Sequence, residues 1–190
     1  MNIQEEYTNR KNNSSDINEH LETLYKYGKK CKSITELGSR HGDSTVALLN
    51  SQPETMVSYD LFKSEFIDEI KLKNYKFITD DSLKISIEKT DLLFIDTLHR
   101  YFQLYNELGL HAKNVRKYII LHDTETYGYS DEPLYAPHIA VKMSDKVIAT
   151  KKKGLKQAVN DFLHETKEGK NWAVHEEFKN NNGLTILSRI

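Results

Sequence analysis

Two aspartates and two histidines follow neighbouring apolar runs, and their side chains could perform acid–base or metal chemistry. Asp96 and His99 come after DLLFI, whereas His122 and Asp123 come after YIIL. Histidine, with an ordinary pKa of about 6.5, can take a hydroxyl proton at neutral pH. Paired carboxylates repel each other unless a proton or a cation separates them, and oxygen ligands favour Mg²⁺, Ca²⁺ or Mn²⁺. We therefore predict His99, Asp96 and His122 as catalytic residues, and Asp96 with Asp123 as ligands of a cation such as Mg²⁺. A loop-capping role for His99 stays open.

A glycine-containing loop follows the first strand pattern, ITELG, and leads into a helical stretch. Gly38 and Gly42 are separated by three residues, and Arg40 stands where the dinucleotide fingerprint G-x-G-x-x-G has its middle glycine. A pyrophosphate would therefore lack a close backbone approach. The loop favours a ligand without phosphate, and a tight strand-to-helix turn that binds nothing is the alternative.

Acidic residues also follow the second and third strand patterns. Asp60 ends MVSYD, and Asp81 follows YKFITD. In nucleotide-binding α/β folds, an acid at the end of the second strand bonds the ribose hydroxyls. A helix-capping role is the alternative for Asp60, and Asp81 suits a helix N-cap equally well. His20, in NEHLETL, is interpreted as a surface histidine of an amphipathic helix.

The elements that must position these residues alternate between strand and helix patterns. The final strand patterns, WAVHEEF and LTILSRI, are joined by KNNNG, and so short a connection makes them antiparallel. The sequence thus predicts a parallel β-α sheet that ends in an antiparallel hairpin. The preceding strands are predicted over 34–38, 56–61, 75–80, 91–96 and 117–123, and the helices over 44–51, 63–73, 81–89, 101–113 and 154–166.

The bulk properties favour one soluble domain. The chain has 190 residues, a formal net charge of -1 and a single cysteine, Cys31. We therefore expect a cytoplasmic protein with no nucleic-acid partner and no membrane span. We predict a mobile N-terminal segment over 1–14 and a single domain over 15–190. Within that domain, residues 124–153 are predicted to form an inserted loop or lid. Its aromatic residues, which could line an acceptor pocket or pack on the core, are Tyr127, Tyr129, Tyr135 and His138.

Four segments carry a resemblance to a known family: SDINEHLETL, ITELGSRHGDST, DLLFIDTLHRY and YIILHDT. They resemble class I S-adenosylmethionine-dependent methyltransferases, above all the methyltransferase-24-like or cephalosporin-hydroxylase-like group. The resemblance covers about residues 15–123 and 154–190. It implies a Rossmann-like, three-layer α/β/α sandwich whose mostly parallel seven-stranded sheet ends in an antiparallel hairpin.

The resemblance also implies an activity, the transfer of a methyl group from S-adenosylmethionine to a hydroxyl of a small acceptor such as a sugar or secondary metabolite. Relatives with this pattern include metal-dependent enzymes that have two acids where this chain has His122 and Asp123, so His122 is a departure from the Mg²⁺ pattern. Asp60 is expected at the ribose and Asp81 near the adenine. The predicted donor-binding residues are Glu36, Gly38, Ser39, Gly42, Ser44, Asp60, Asp81 and Asp96.

Three alternatives remain at the level of sequence. The chain could keep the fold and bind the donor without transferring a methyl group. It could be an NAD-dependent oxidoreductase, against which Arg40 and the terminal hairpin both speak. It could be a 2-oxoglutarate hydroxylase with Asp96, His99 and His122 as iron ligands, although that site normally belongs to a β jelly roll. Neither the identity of the methyl acceptor nor the oligomeric state can be inferred from the sequence.

Overall fold

Seven strands form a single sheet within residues 1–133 and 151–190, the parts of the chain that the computed structural model describes. The sheet order is β3-β2-β1-β4-β5-β7-β6. Strands β1 to β5 are parallel, whereas β7 lies antiparallel between β5 and β6. This confirms the predicted sheet and its C-terminal hairpin. The strands are β1 (Ser33–Leu37), β2 (Thr55–Asp60), β3 (Tyr75–Thr79), β4 (Thr90–Ile95), β5 (Val115–His122), β6 (Trp172–Phe178) and β7 (Leu184–Arg189).

Two apolar clusters cover the two faces of the sheet, as the three-layer prediction requires. Because side chains alternate along a strand, Leu92 of β4 packs in one cluster and Leu93 in the other. Each is fully buried, which contributes about 1.5–3 kcal/mol to the stability of the fold. The first cluster includes side chains of α1 (Ile3–Asn12), α2 (Leu21–Gly28), α3 (Asp43–Asn50) and α4 (Glu65–Glu69). The second includes side chains of α5 (Tyr101–His111) and α6 (Leu155–Glu165).

The strand order places a crevice between β1 and β4. From β1 the chain builds outward through β2 and β3, and it then returns to add β4 on the other side of β1. The helices that follow β1 and β4, α3 and α5, lie on opposite faces of the sheet. Ligands of open α/β sheets bind at such a switch point, outside the carboxyl ends of the strands.

The N-terminal segment differs from the mobile arm predicted over 1–14. Residues Ile3–Asn12 form α1, whose Tyr7 is buried and whose Arg10 guanidinium lies 4.0 Å from the centre of the Phe66 ring. Ile3 and Tyr7 share one face of the helix because they are four positions apart. The polar residues that follow Tyr7 led to the prediction of a mobile segment, because they outnumber the apolar residues on this face.

The helix predicted over 81–89 is wrong, because residues 82–84 form only a turn. The apolar residues Leu83, Ile85 and Ile87 are two positions apart, a spacing that does not build one helix face. The helix predicted over 63–73 shrinks to Glu65–Glu69. Of the predicted lid, residues 134–150 lie outside the described residues. No helix in the described ranges has the length and apolar character needed to cross a bilayer.

Candidate active site

A cleft of about 490 Å³ opens at the carboxyl ends of β1 and β4. Its volume lies within the range of small-molecule sites. It brings together six of the residues predicted for the site, namely Gly38, Ser39, Ser44, Asp96, His99 and Asp123. Five others do not line it, namely Glu36, Gly42, Asp60, Asp81 and His122.

Glu36, predicted to contact the donor, is instead fully buried beneath the loop. Its carboxyl group accepts hydrogen bonds from the hydroxyls of Ser44, Thr45 and Ser58. These bonds tie β1 to the start of α3 and to β2, so Glu36 supports the cleft and does not face it. Burial raises its pKa to about 7, because the buried site disfavours the charged form.

We expect Glu36→Gln to alter how stability depends on pH. The folded pKa of Glu36 is about 7 and the ordinary value is 4.5, so the unfolded chain loses this proton first as pH rises. The contribution of Glu36 is therefore fully present below about pH 4.5 and is lost as pH rises through about 7, by about 3 kcal/mol. Denaturant unfolding at pH 5 and 8 should show the wild type losing about this much relative to the variant.

Glu69→Gln is the control for that measurement, because it makes the same chemical change at an exposed residue of α4. Its free energy of unfolding should follow the wild type at both pH values. Parallel pH curves for the wild type and Glu36→Gln would contradict the assignment.

The loop after β1 is held by Asp60, a residue that was predicted to contact the ribose of the donor. Asp60 Oδ2 accepts from the backbone N–H groups of Ser39 and Arg40, each at 2.9 Å, and Oδ1 accepts from Phe62 N at 3.2 Å. Two consecutive loop N–H groups are thereby committed to a side chain. A bound phosphate, which needs such groups, would have to compete with this carboxylate.

Gly38 and Gly42 are both required by the backbone. Gly38 has φ of +83°, and a Cβ atom there would lie 1.9 Å from the carbonyl oxygen of Asp96. Gly42 has φ of +88° at the start of α3, where a Cβ atom would lie 2.7 Å from the Phe66 ring. Asp81 Oδ1 accepts from Leu83 N at 3.0 Å, so Asp81 organises the 82–84 turn outside the cleft.

Asp96, His99 and Asp123 meet in the cleft. His99 Nε2 lies 3.1 Å from Asp96 Oδ1 and 3.0 Å from Asp123 Oδ2. One ligand atom from each of the three residues lies within 4.8 Å of those of the other two. Asp123 reaches this position with φ of +59°, a conformation that costs a non-glycine residue about 1 kcal/mol or more. The juxtaposition predicted from the ends of β4 and β5 is therefore present.

Glu132 completes the surroundings of His99, and nothing in the sequence predicted it. Its Oε2 lies 3.0 Å from His99 Nδ1, and its backbone N–H donates to the His99 carbonyl at 2.9 Å. The ring of Tyr127 stacks on His99 with centroids 5.0 Å apart. Of the other predicted lid aromatics, Tyr129 is exposed outside the cleft, whereas Tyr135 and His138 lie outside the described residues.

His122 lies behind the cleft with its side chain only 1% exposed. Its Nε2 lies 3.2 Å from the carbonyl oxygen of Asn181, in the loop between β6 and β7. The same carbonyl lies 3.1 Å from Nε2 of His20, which is buried. The prediction of a surface histidine at position 20 is wrong, because the hairpin loop packs against the segment that precedes α2 and its carbonyls contact the ring.

Groups of opposite charge lie side by side here, namely Asp96, His99, His122 and Asp123. Burial disfavours the charged forms, but the contacts between histidines and carboxylates outweigh it. They raise the pKa of His99 to about 10 and raise the pKa of His122, with Asp123 and Asp96 as the cause. The same contacts lower the pKa of Asp96 and of Asp123. These contacts favour the imidazolium forms of His99 and His122, so a cation that binds here has to compete with a proton.

Sequence reasoning missed several polar residues that line the cleft. Arg40 and Asp16 form an ion pair at its edge, with Arg40 Nη1 donating to Asp16 Oδ2 at 2.6 Å. Asn182 reaches the cleft from the hairpin loop, where it looked like a simple turn residue. The sequence held no signal for these contacts, because each joins segments that are distant along the chain.

The chain has the fold of class I S-adenosylmethionine-dependent methyltransferases. PaMTH1, a methyltransferase from Podospora anserina bound to S-adenosylhomocysteine (SAH), has a TM-score of 0.58 at 15% identity. The match covers 99% of this chain and 87% of that chain. An O-methyltransferase from Bacillus cereus in complex with SAH has a TM-score of 0.58 at 14% identity, with 99% and 90% covered. No family model and no curated protein matches the sequence. The methyltransferase-24-like subgroup therefore stays a prediction.

Proposed function

We propose that this protein is an S-adenosylmethionine-dependent methyltransferase that methylates a hydroxyl of a small acceptor, such as a sugar or a secondary metabolite. The observation that carries the proposal is a single cleft at the switch point of the sheet that holds both the Gly38 loop and the Asp96–His99–Asp123 cluster. A donor site and a group able to take a proton thus share one space.

The lining of the cleft fits a cationic donor without phosphate. The carboxylates of Asp16, Asp96 and Asp123 suit the sulfonium and ammonium groups of S-adenosylmethionine. The commitment of the Ser39 and Arg40 N–H groups to Asp60 argues against the pyrophosphate of NAD. We assign the donor to Gly38, Ser39, Ser44 and Asp96, and we give Glu36 and Asp60 the task of holding the loop.

The chemistry requires a route for the acceptor's proton. S-adenosylmethionine supplies the methyl group by an in-line displacement, in which a neutral hydroxyl is a poor nucleophile. His99 is the proposed base, with Asp96 orienting its ring. Because its carboxylate partners favour the imidazolium form, Nε2 must lose its own proton before it can accept that of the hydroxyl, and the positive charge of a bound donor favours this loss. In the second version, Asp96 and Asp123 hold a divalent cation whose charge acidifies the hydroxyl.

We expect SAH to raise the melting temperature. Binding to the native state alone stabilises by about 2.7 kcal/mol at a ligand concentration of 100 Kd, or roughly 5–10 °C for a chain of this size. A thermal-shift titration with SAH checks this, and NAD serves as the comparison that should give no shift.

No shift with millimolar SAH would refute the donor assignment, and a shift with NAD alone would favour an oxidoreductase. Transfer of a labelled methyl group to a panel of hydroxylated acceptors then tests the reaction. SAH binding without transfer to any acceptor would favour a donor-binding protein of the same fold.

A further inference from the structure

The partly exposed His99 and the buried His122 flank the carboxylates of Asp96 and Asp123, and the outer nitrogen of each ring is engaged elsewhere. His99 Nδ1 faces the Glu132 carboxylate at 3.0 Å, and His122 Nε2 faces the Asn181 carbonyl at 3.2 Å. A carbonyl or an ionised carboxylate can only accept, so the outer nitrogens carry the ring protons. When a cation replaces the second proton of each ring, the inner nitrogens, His99 Nε2 and His122 Nδ1, present lone pairs toward the two aspartates.

The inner nitrogen of His122 has no hydrogen-bond partner among the described residues. It lies 3.1 Å from Asp123 Oδ2 and 3.4 Å from Asp96 Oδ2, but neither oxygen lies in a hydrogen-bonding direction. Its side chain is 1% exposed. A buried nitrogen that lies beside two carboxylates without a hydrogen bond to either is an arrangement that a bound cation satisfies.

The spacing of the other inner atoms is compatible with one ion. His99 Nε2 is 3.1 Å from Asp96 Oδ1 and 3.0 Å from Asp123 Oδ2. Adjacent ligands of a six-coordinate ion with bonds of about 2.1 Å lie roughly 3 Å apart. The hydrogen bonds that ligating histidines make through their other nitrogen are already present, to Glu132 and Asn181.

The donor set decides which ion fits. Mg²⁺ takes oxygen ligands and keeps several waters, whereas imidazole nitrogen suits Zn²⁺, Fe²⁺, Co²⁺ and Ni²⁺. We propose that Asp96, His99 and Asp123, with His122 as an additional nitrogen donor, bind a first-row transition-metal dication in preference to Mg²⁺. The proposal concerns the cleft of the proposed function but does not depend on methyl transfer.

The test is a metal titration of the full chain, stripped with a chelator, without methyl donor or acceptor. Calorimetry should show Co²⁺, Ni²⁺ or Zn²⁺ binding at one site, roughly 100-fold or more tighter than Mg²⁺ and Ca²⁺. The visible spectrum of the Co²⁺ complex reports nitrogen coordination in the wild-type protein. Mg²⁺ binding as tightly as these ions, or no binding of any ion, would overturn the proposal while leaving the SAH result untouched.

Variants separate this site from adventitious surface binding. His99→Asn and His122→Asn should each weaken Co²⁺ binding and alter its spectrum, and Glu132→Ala should weaken it by about 10- to 100-fold. His164→Asn, on the exposed surface of α6, is the matched control and should bind like the wild type. If His164→Asn loses binding and the cluster variants keep it, the proposal is wrong.

Discussion

His99→Ala should slow methyl transfer by about 10²- to 10⁴-fold, the range expected when a general base is removed. The Nε2 atom of His99 lies between Asp96 and Asp123. Of the residues assigned to the donor only Asp96 belongs to this cluster, and in the variant it keeps His122 as a neighbour. SAH affinity should therefore change little. Steady-state transfer rates and an SAH titration measure the two effects separately.

A conservative variant and a chelator refine this result. His99→Gln keeps a polar group but cannot act as a base, so it should be nearly as slow as His99→Ala. Activity lost to EDTA and restored by a divalent ion supports the version in which the cluster holds a cation, and indifference to EDTA leaves His99 acting alone. Full activity in His99→Ala on a true acceptor contradicts the assignment of His99 as the base and leaves the version in which Asp96 and Asp123 hold a cation.

Gly38→Ala should abolish SAH binding and also destabilise the fold. The added methyl group would lie 1.9 Å from the carbonyl oxygen of Asp96, and the backbone φ of +83° strains any residue with a Cβ atom. Relieving the contact must push the β1 loop away from the end of β4, where the cleft forms. Strain and overpacking together cost about 2–5 kcal/mol, and larger side chains such as Val should cost more. Thermal unfolding with and without SAH checks both effects.

Gly109→Ala is the matched control, because it adds the same methyl group where no atom lies within 4 Å. Gly109 is exposed within α5, so the substitution should raise stability by about 0.5–1 kcal/mol and leave SAH binding unchanged. SAH binding of wild-type strength in Gly38→Ala would contradict the placement of the donor at this loop.

The local sequence determined the strands and the edge of the sheet at which the site forms. Runs such as DLLFI and YIIL are apolar throughout, and buried parallel strands require this pattern on both faces. Asp96 and Asp123 follow two such runs, so the meeting of their carboxylates could be predicted once β4 and β5 were expected to be neighbours. The hairpin connection likewise fixed the antiparallel end of the sheet.

Only the tertiary structure decided which polar groups face the cleft. Glu36 and Asp60 occupy the positions expected of donor ligands, yet their carboxylates hold the loop by accepting hydrogen bonds from hydroxyls and backbone N–H groups beside them. Glu132 reaches His99 across 33 positions of sequence, and Asn181 reaches His122 across 59. No periodicity or motif encodes such contacts, because they depend on how separate segments pack after the sheet has formed.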